Sequence, residues 1–185
     1  RANHQYDLYA PDQLQHHVIN HLTGQEMDEK RNVMVESARI ARGKIRPLTE
    51  LDVAAYDGLV LPGGFGAAKN LSDYAFAGAA IKVLADVEAV LKKMHALHKP
   101  IGAMCISPVI LARVFGKVNL TIGRDATTAG HLEQLGAIHH RTEKAEVTVD
   151  EANKLVTAPC YMTNIRLSYV AAGAEEMIAA MLTLM

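Results

Sequence analysis

Apolar positions along this chain follow two rhythms. Gly58-Leu59-Val60-Leu61 and Ile101-Gly102-Ala103-Met104 are short continuous apolar runs, the pattern of strands buried on both faces in a parallel sheet. Between them Ile81, Leu84, Val87, Leu91, Met94 and Leu97 recur at helical spacing. They predict a helix from Ala79 to His98 that ends at Lys99-Pro100, because the residue before proline disfavours the α region. Strand, helix and strand in this order form a βαβ unit, whose crossover is almost always right-handed. That geometry brings Pro62-Gly63-Gly64-Phe65-Gly66, which follows the first strand, to the same sheet edge as Cys105, which follows the second.

The flanking segments extend the alternation. Val33, Met34, Ala38 and Ala41 make one apolar stripe, so a helix is expected from Met27 to Arg42 with Gly43 as its stop. Gln5 to Ala10 reads as a strand, and Lys44 to Leu48 as a short extended piece that Pro47 keeps out of a central position. Thr49 is expected to cap a short helix through Ala55. After Cys105 come a helix from Pro108 to Phe115 stopped by Gly116, a strand from Val118 to Ile122, and a helix capped by Thr127 or Thr128 that ends near Gly136. Glu146 to Val149 and Lys154 to Ala158 flank the turn-rich Asp150-Glu151-Ala152-Asn153 and predict a hairpin. A last helix carries Val170, Ala174, Met177, Ile178, Met181 and Leu182 on one face. Its methionines read as core or dimer packing. The chain opens on Arg1 with a strand already under way, so residues 1–185 are expected to be a single domain lacking its N-terminal strand and helix.

Composition narrows the partners. The chain has 50% hydrophobic residues, enough for a full core, and a formal net charge of −1 from 19 basic and 20 acidic residues. Such a balance gives no overall field to draw in nucleic acid or an anionic membrane, and no apolar run reaches the length of a membrane span. A small neutral or weakly charged ligand fits better. Two cysteines without metal-type spacing point to a reducing compartment and leave no disulfide framework. His16, His17 and His21 lie close together but have no adjacent acidic or Cys partner, so a polar loop is the favoured reading over a metal site.

Cys105 is the candidate for chemistry. A thiol between a buried strand and a helix sits where free backbone N–H groups of the first helical turn face an anion, which lowers a thiol's pKa; the plain alternative is core packing. Gly63, Gly64 and Gly66 allow a sharp bend that brings N–H groups close to a ligand. The loop has neither the dinucleotide fingerprint nor the Lys-Ser/Thr ending of a phosphate loop.

Several stretches in the same order resemble one known group. Val18-Ile19-Asn20-His21-Leu22-Thr23-Gly24, Arg31-Asn32-Val33, Glu36-Ser37-Ala38-Arg39-Ile40-Ala41-Arg42-Gly43, Pro62 through Leu71, and Lys99-Pro100-Ile101-Gly102 through Cys105-Ile106-Ser107-Pro108 look like the enhancing lycopene biosynthesis, or sigma cross-reacting, protein group. That group lies in the DJ-1/PfpI superfamily. The resemblance implies an α/β, flavodoxin-like, class I glutamine-amidotransferase-like fold: a doubly wound parallel sheet with Cys105 on a nucleophile elbow, as a homodimer. It implies a substrate loop of Gly63, Gly64, Phe65 and Gly66, with the N–H groups of Gly64 and Ile106 forming an oxyanion pocket.

The activity implied is a cofactor-independent, metal-free glyoxalase that converts small dicarbonyls such as glyoxal and methylglyoxal to hydroxy acids through a Cys105 thiohemiacetal. The alternative is a non-catalytic stress-response protein, auxiliary to isoprenoid metabolism, with Cys105 as an oxidation sensor. Two departures favour slow turnover or sensing. Ile106 stands where many superfamily members have His, and no residue matches the family's Glu on the turn after the first strand. His139 matches a His of the group and is a candidate acid/base. Cys160 stands where the group often has a small residue and is read as packing, with a resolving thiol as the lesser option. Amidotransfer finds no convincing His and acid pair. The location implied is the cytoplasm for a bacterial source and the mitochondrion for a eukaryotic one.

Overall fold

A computed structural model describes residues 4–163 and 165–185. Its centre is a four-stranded sheet in the order β3-β4-β8-β7, where β3 is Leu59–Leu61, β4 Ile101–Met104, β7 Thr148–Asp150 and β8 Leu155–Ala158. β3, β4 and β8 run parallel, with Leu59 paired to Ile101 and Met104 to Ala158. β7 closes the edge antiparallel to β8, the expected hairpin. Two further parallel pairs flank this sheet: β1 (Tyr9–Ala10) with β2 (Arg46–Pro47), and β5 (Asn119–Leu120) with β6 (Ile138–His139). The second pair is tied to the central sheet by polar bonds. Thr121 N donates to Thr157 Oγ1 at 2.8 Å, and Asn119 N donates to the Asp150 carboxylate at 2.7 Å.

The two faces of the central sheet follow strand alternation. Leu61, Ile101, Ala103 and Leu155 join the larger core with Leu91 and Met94 of α4 (Ala85–Ala96) and Val109, Ile110 and Leu111 of α5 (Pro108–Phe115). Met104, Val156 and Ala158 lie in a second cluster with Met177 and Met181 of α7 (Leu167–Thr183). Helices on both faces of a mostly parallel sheet make the chain α/β and flavodoxin-like, as expected. Gly102 lets α7 sit directly on the strand: a Cβ there would come within 2.6 Å of Met181 Sδ and 3.1 Å of Met177 Cε.

Local boundaries differ from the sequence expectations in ways that caps explain. The first helix, α1, is Val33–Ala41 and not Met27 to Arg42, because Asn32 takes an extended conformation and its side chain accepts from Val35 N. The residues before it are drawn into bridges between Ile19 and Glu26 and between Leu14 and Asn32. Arg42 adopts the left-handed conformation one residue before Gly43. Thr49 caps nothing; short 3-10 turns at Leu48–Glu50 and Val53–Ala55 replace the expected helix, and Asp52 caps the second through Ala54 N.

The long helix expected from Ala79 begins only at Ala85. Ile81 is buried and its carbonyl accepts from Arg113 Nε at 2.9 Å, while Val83 bridges to Ser72. Tertiary bonds have therefore claimed the backbone of the expected first turns. In α6 (Ala126–Gln134) the cap is Asp125, which accepts from Thr128 N at 2.8 Å, and not Thr127 or Thr128. The extended segment before Ala10 is strand only at Tyr9–Ala10.

Candidate active site

Glycine-loop and thiol residues meet at the C-terminal edge of the central sheet. After β3 the chain turns through Gly63, at φ 93°, and Gly64, at φ 81°, into a single helical turn, α2 (Gly64–Gly66). After β4 it turns through Cys105, which holds φ 57°. A non-glycine residue there is uncommon and marks a position over-determined by its surroundings.

The surroundings supply that constraint from both sides. Cys105 N donates to Ala158 O of β8 at 3.0 Å, and Ser107 N returns to Met104 O at 3.0 Å to close the turn into α5. On the other side a Cβ placed on Gly63 would lie 2.5 Å from Met104 O and 2.8 Å from Cys105 Cβ. Only glycine brings the loop backbone this close to the thiol-bearing turn. Pro108 begins α5 because its missing N–H costs nothing at a helix start.

The thiol stands half-buried among groups of contrasting character. Ile106 N–H donates to no group among the described residues, and Gly64 N–H, opening the first turn of α2, has no intrahelical acceptor. The Ser107 hydroxyl is fully buried and has no partner among the described residues. Phe65 is exposed beside the loop, with Lys69 Nζ 5.2 Å from its ring centre. No carboxylate or imidazole is bonded to Cys105 among the described residues.

His139 lies on β6, the strand paired with β5. Burial pushes its imidazole pKa below the ordinary value, Glu133 pulls it back up and His140 pushes it further down, and a bond to the Gly123 backbone also favours the charged form. Its Nε2 is buried without a partner among the described residues. A Cβ on Gly123 would in turn touch Thr163 Cγ2 and Pro159 Cβ, so the backbone that bonds His139 packs against the residues flanking Cys160.

Cys160, read from the sequence as a packing residue, packs against the methionine cluster on the α7 side of the sheet. It follows β8 and Pro159, holds φ 50°, and packs with Cys105 against the cluster of Met104, Met177 and Met181. Burial pushes the Cys160 pKa up, the Cys105 thiol adds to the rise, and the Tyr161 N–H opposes it. The signal in the sequence was a second apolar run, Leu155 to Ala158, ending close to a thiol as the run before Cys105 does. The three histidines are far from a ligand set. His16 and His17 stack edge-on with ring centres 4.3 Å apart, and His17 meets Glu26 at 3.5 Å. No group of three or more potential ligands that could hold a metal occurs among the described residues, and none of their helices is long and apolar enough to cross a membrane.

Comparison with known proteins gives a consistent picture. The DJ-1/PfpI family profile matches residues 14–170. A human protein named glutamine amidotransferase-like class 1 domain-containing protein 3, mitochondrial, is 44% identical over all of this chain and 72% of its own length. The zebrafish ES1 protein, mitochondrial, is 32% identical over 96% of this chain and 73% of its own. Among solved structures, an isoprenoid biosynthesis protein with an amidotransferase-like domain from Ehrlichia chaffeensis superposes with a TM-score of 0.88 at 33% identity. That superposition covers 96% of this chain and 82% of the other.

Proposed function

Since this chain belongs to the DJ-1/PfpI family, we propose that it is a slow, cofactor-independent thiol enzyme that converts small dicarbonyls to hydroxy acids, with Cys105 as nucleophile. The observation that carries this reading is the meeting of two turns: Cys105, held at φ 57°, faces a glycine loop so close that Gly63 has no room for a Cβ. A thiolate here adds to an aldehyde carbon, and the carbonyl oxygen becomes an alkoxide that the N–H groups of Gly64 and Ile106 receive. Loss of the proton from that carbon gives an enediol; protonation of the neighbouring carbon leaves a thioester. Water then releases the hydroxy acid and restores the thiol. The net change is addition of one water to the dicarbonyl, so no oxidant or cofactor enters.

Slow turnover follows from the missing base, since no carboxylate or imidazole touches Cys105 among the described residues. His139 is the imidazole of this chain proposed for proton transfer; it is bonded to the Gly123 backbone, which packs against Pro159 beside Cys160. A second reading, an oxidation-sensing protein, is favoured by one specific observation, the packing of Cys105 and Cys160 against one cluster at the same sheet edge. The mitochondrial names of the relatives support a mitochondrial location in a eukaryotic source, and the homodimer is a proposal that light scattering reads. The decisive measurement is methylglyoxal consumption with lactate formation. The protein is expected to exceed the buffer rate and Cys105→Ser to fall to it; equal rates for both overturn the enzyme reading.

A further inference from the structure

The pairing of β4 with β8 places two thiols at one sheet edge. Met104 is opposite Ala158, and Cys105 and Cys160 follow these partners by one and two residues. Adjacent strands run about 4.8 Å apart, and Cys160 lies one residue beyond the position that continues the register opposite Cys105. Cys105 N is bonded to Ala158 O, which locks the two turns together. Both cysteines are partly exposed, and both pack against the same cluster of Met104, Met177 and Met181.

The Cys160 turn is itself built to hold its place. Met162 N donates to Pro159 O at 3.0 Å, Thr163 Oγ1 donates to Cys160 O at 3.2 Å, and Arg124 Nη2 donates to Thr163 O at 3.4 Å. The thiol therefore does not depend on a loose loop to reach its neighbour.

We infer that Cys105 and Cys160 form a peroxide-reactive dithiol site in which Cys160 resolves oxidised Cys105 as an intramolecular disulfide. The oxidant is a hydroperoxide, hydrogen peroxide or a small organic one. The Cys105 thiolate attacks its terminal oxygen; the S–O bond forms as the O–O bond breaks, and the alcohol or water leaves with a proton. The Cys160 sulfur then attacks the Cys105 sulfenic acid. The S–S bond forms, the S–O bond breaks, and the hydroxide leaves as water with the Cys160 proton. Two thiols are oxidised and one hydroperoxide is reduced, and an external dithiol reverses the state.

The inference shares the Cys105 centre with the proposed function but does not require dicarbonyl turnover. Resolution by Cys160 protects Cys105 from the irreversible sulfinic state and removes the nucleophile while the bond lasts.

Peptide mapping of the native protein after mild hydrogen peroxide, with and without dithiothreitol, tests it directly. The expected result is a Cys105–Cys160 cross-linked peptide that disappears on reduction. In Cys160→Ser, dimedone is expected to trap several-fold more Cys105 sulfenic acid than in the parent, and sulfinic acid to accumulate. A map showing Cys105 sulfinate beside a free Cys160 thiol, or cross-links only between chains, overturns the inference. The map on the parent protein stands even if the variant folds poorly. A failure of methylglyoxal turnover in the separate assay leaves the map unaffected, so the two readings fail distinguishably.

Discussion

The two faces of the central sheet are packed by different materials. One face meets α4 and α5 through Leu91, Ile101, Ile110, Leu111 and Leu155, all fully buried. The other meets α7 through Met177 and Met181, over a strand that carries no side chain at Gly102. Leucines and isoleucines fill a fixed volume with few rotamers, whereas methionine is unbranched and adapts to irregular gaps. Both thiols pack on the methionine side. The difference teaches that α5 is anchored by the rigid face while the two thiols face the adaptable one. The elbow is held in place from behind, and its thiols border a surface able to adjust.

The sharpest way to break that contrast is to remove bulk from the rigid face. Leu111→Ala in α5 is expected to lower stability by about 2–5 kcal/mol, read by urea denaturation, because Leu111 is fully buried.

A smaller effect is expected at Asp150, a buried carboxylate on β7 paired with Leu155 of the rigid face. Burial alone would push its pKa up, but hydrogen bonds from the backbone and side chains of Asn119 and Asn153 outweigh it and hold the pKa below the ordinary carboxylate value. The folded state therefore binds protons less readily than the unfolded chain. The stabilisation is fully present above the unfolded pKa of about 4, and is lost as pH falls through the lower folded value. Asp150→Ala is expected to cost about 1.5–3 kcal/mol at neutral pH and to flatten the acid limb of stability against pH. An unchanged acid limb would remove Asp150 from this role.

The least effect is expected on the adaptable face. Met177→Leu should cost less than about 1.5 kcal/mol; a loss matching that of Leu111→Ala would mean that the two faces are equally exacting.

The elements legible in the sequence are those whose ends carry local chemistry. α5 runs from Pro108 to Phe115 as expected, since Pro108 suits a helix start and Gly116, at φ 70°, ends it. β3 and β4 were legible because strands covered on both faces leave continuous apolar runs. Helix length was not, because apolar spacing alone does not report what competes for the backbone. Ile81 keeps helical spacing yet gives its carbonyl to Arg113, and Met27, the expected start of α1, lies before the Asn32 cap.

The glycine loop and Cys105 were brought together by βαβ logic. Cys160 was not, because its place depends on β8 pairing with β4 rather than only with its hairpin partner β7. That neighbour relation is a property of strand order, which local pattern does not carry.

The bare backbone at Gly102 works as a depth gauge for the terminal helix. A Cβ at that position would press within 2.6 Å of Met181 Sδ, so the distance between α7 and the sheet is set by thioethers that can swivel and not by a methyl that cannot. The strand that leads to Cys105 is thus held by ladders on both edges and by flexible thioethers on one face.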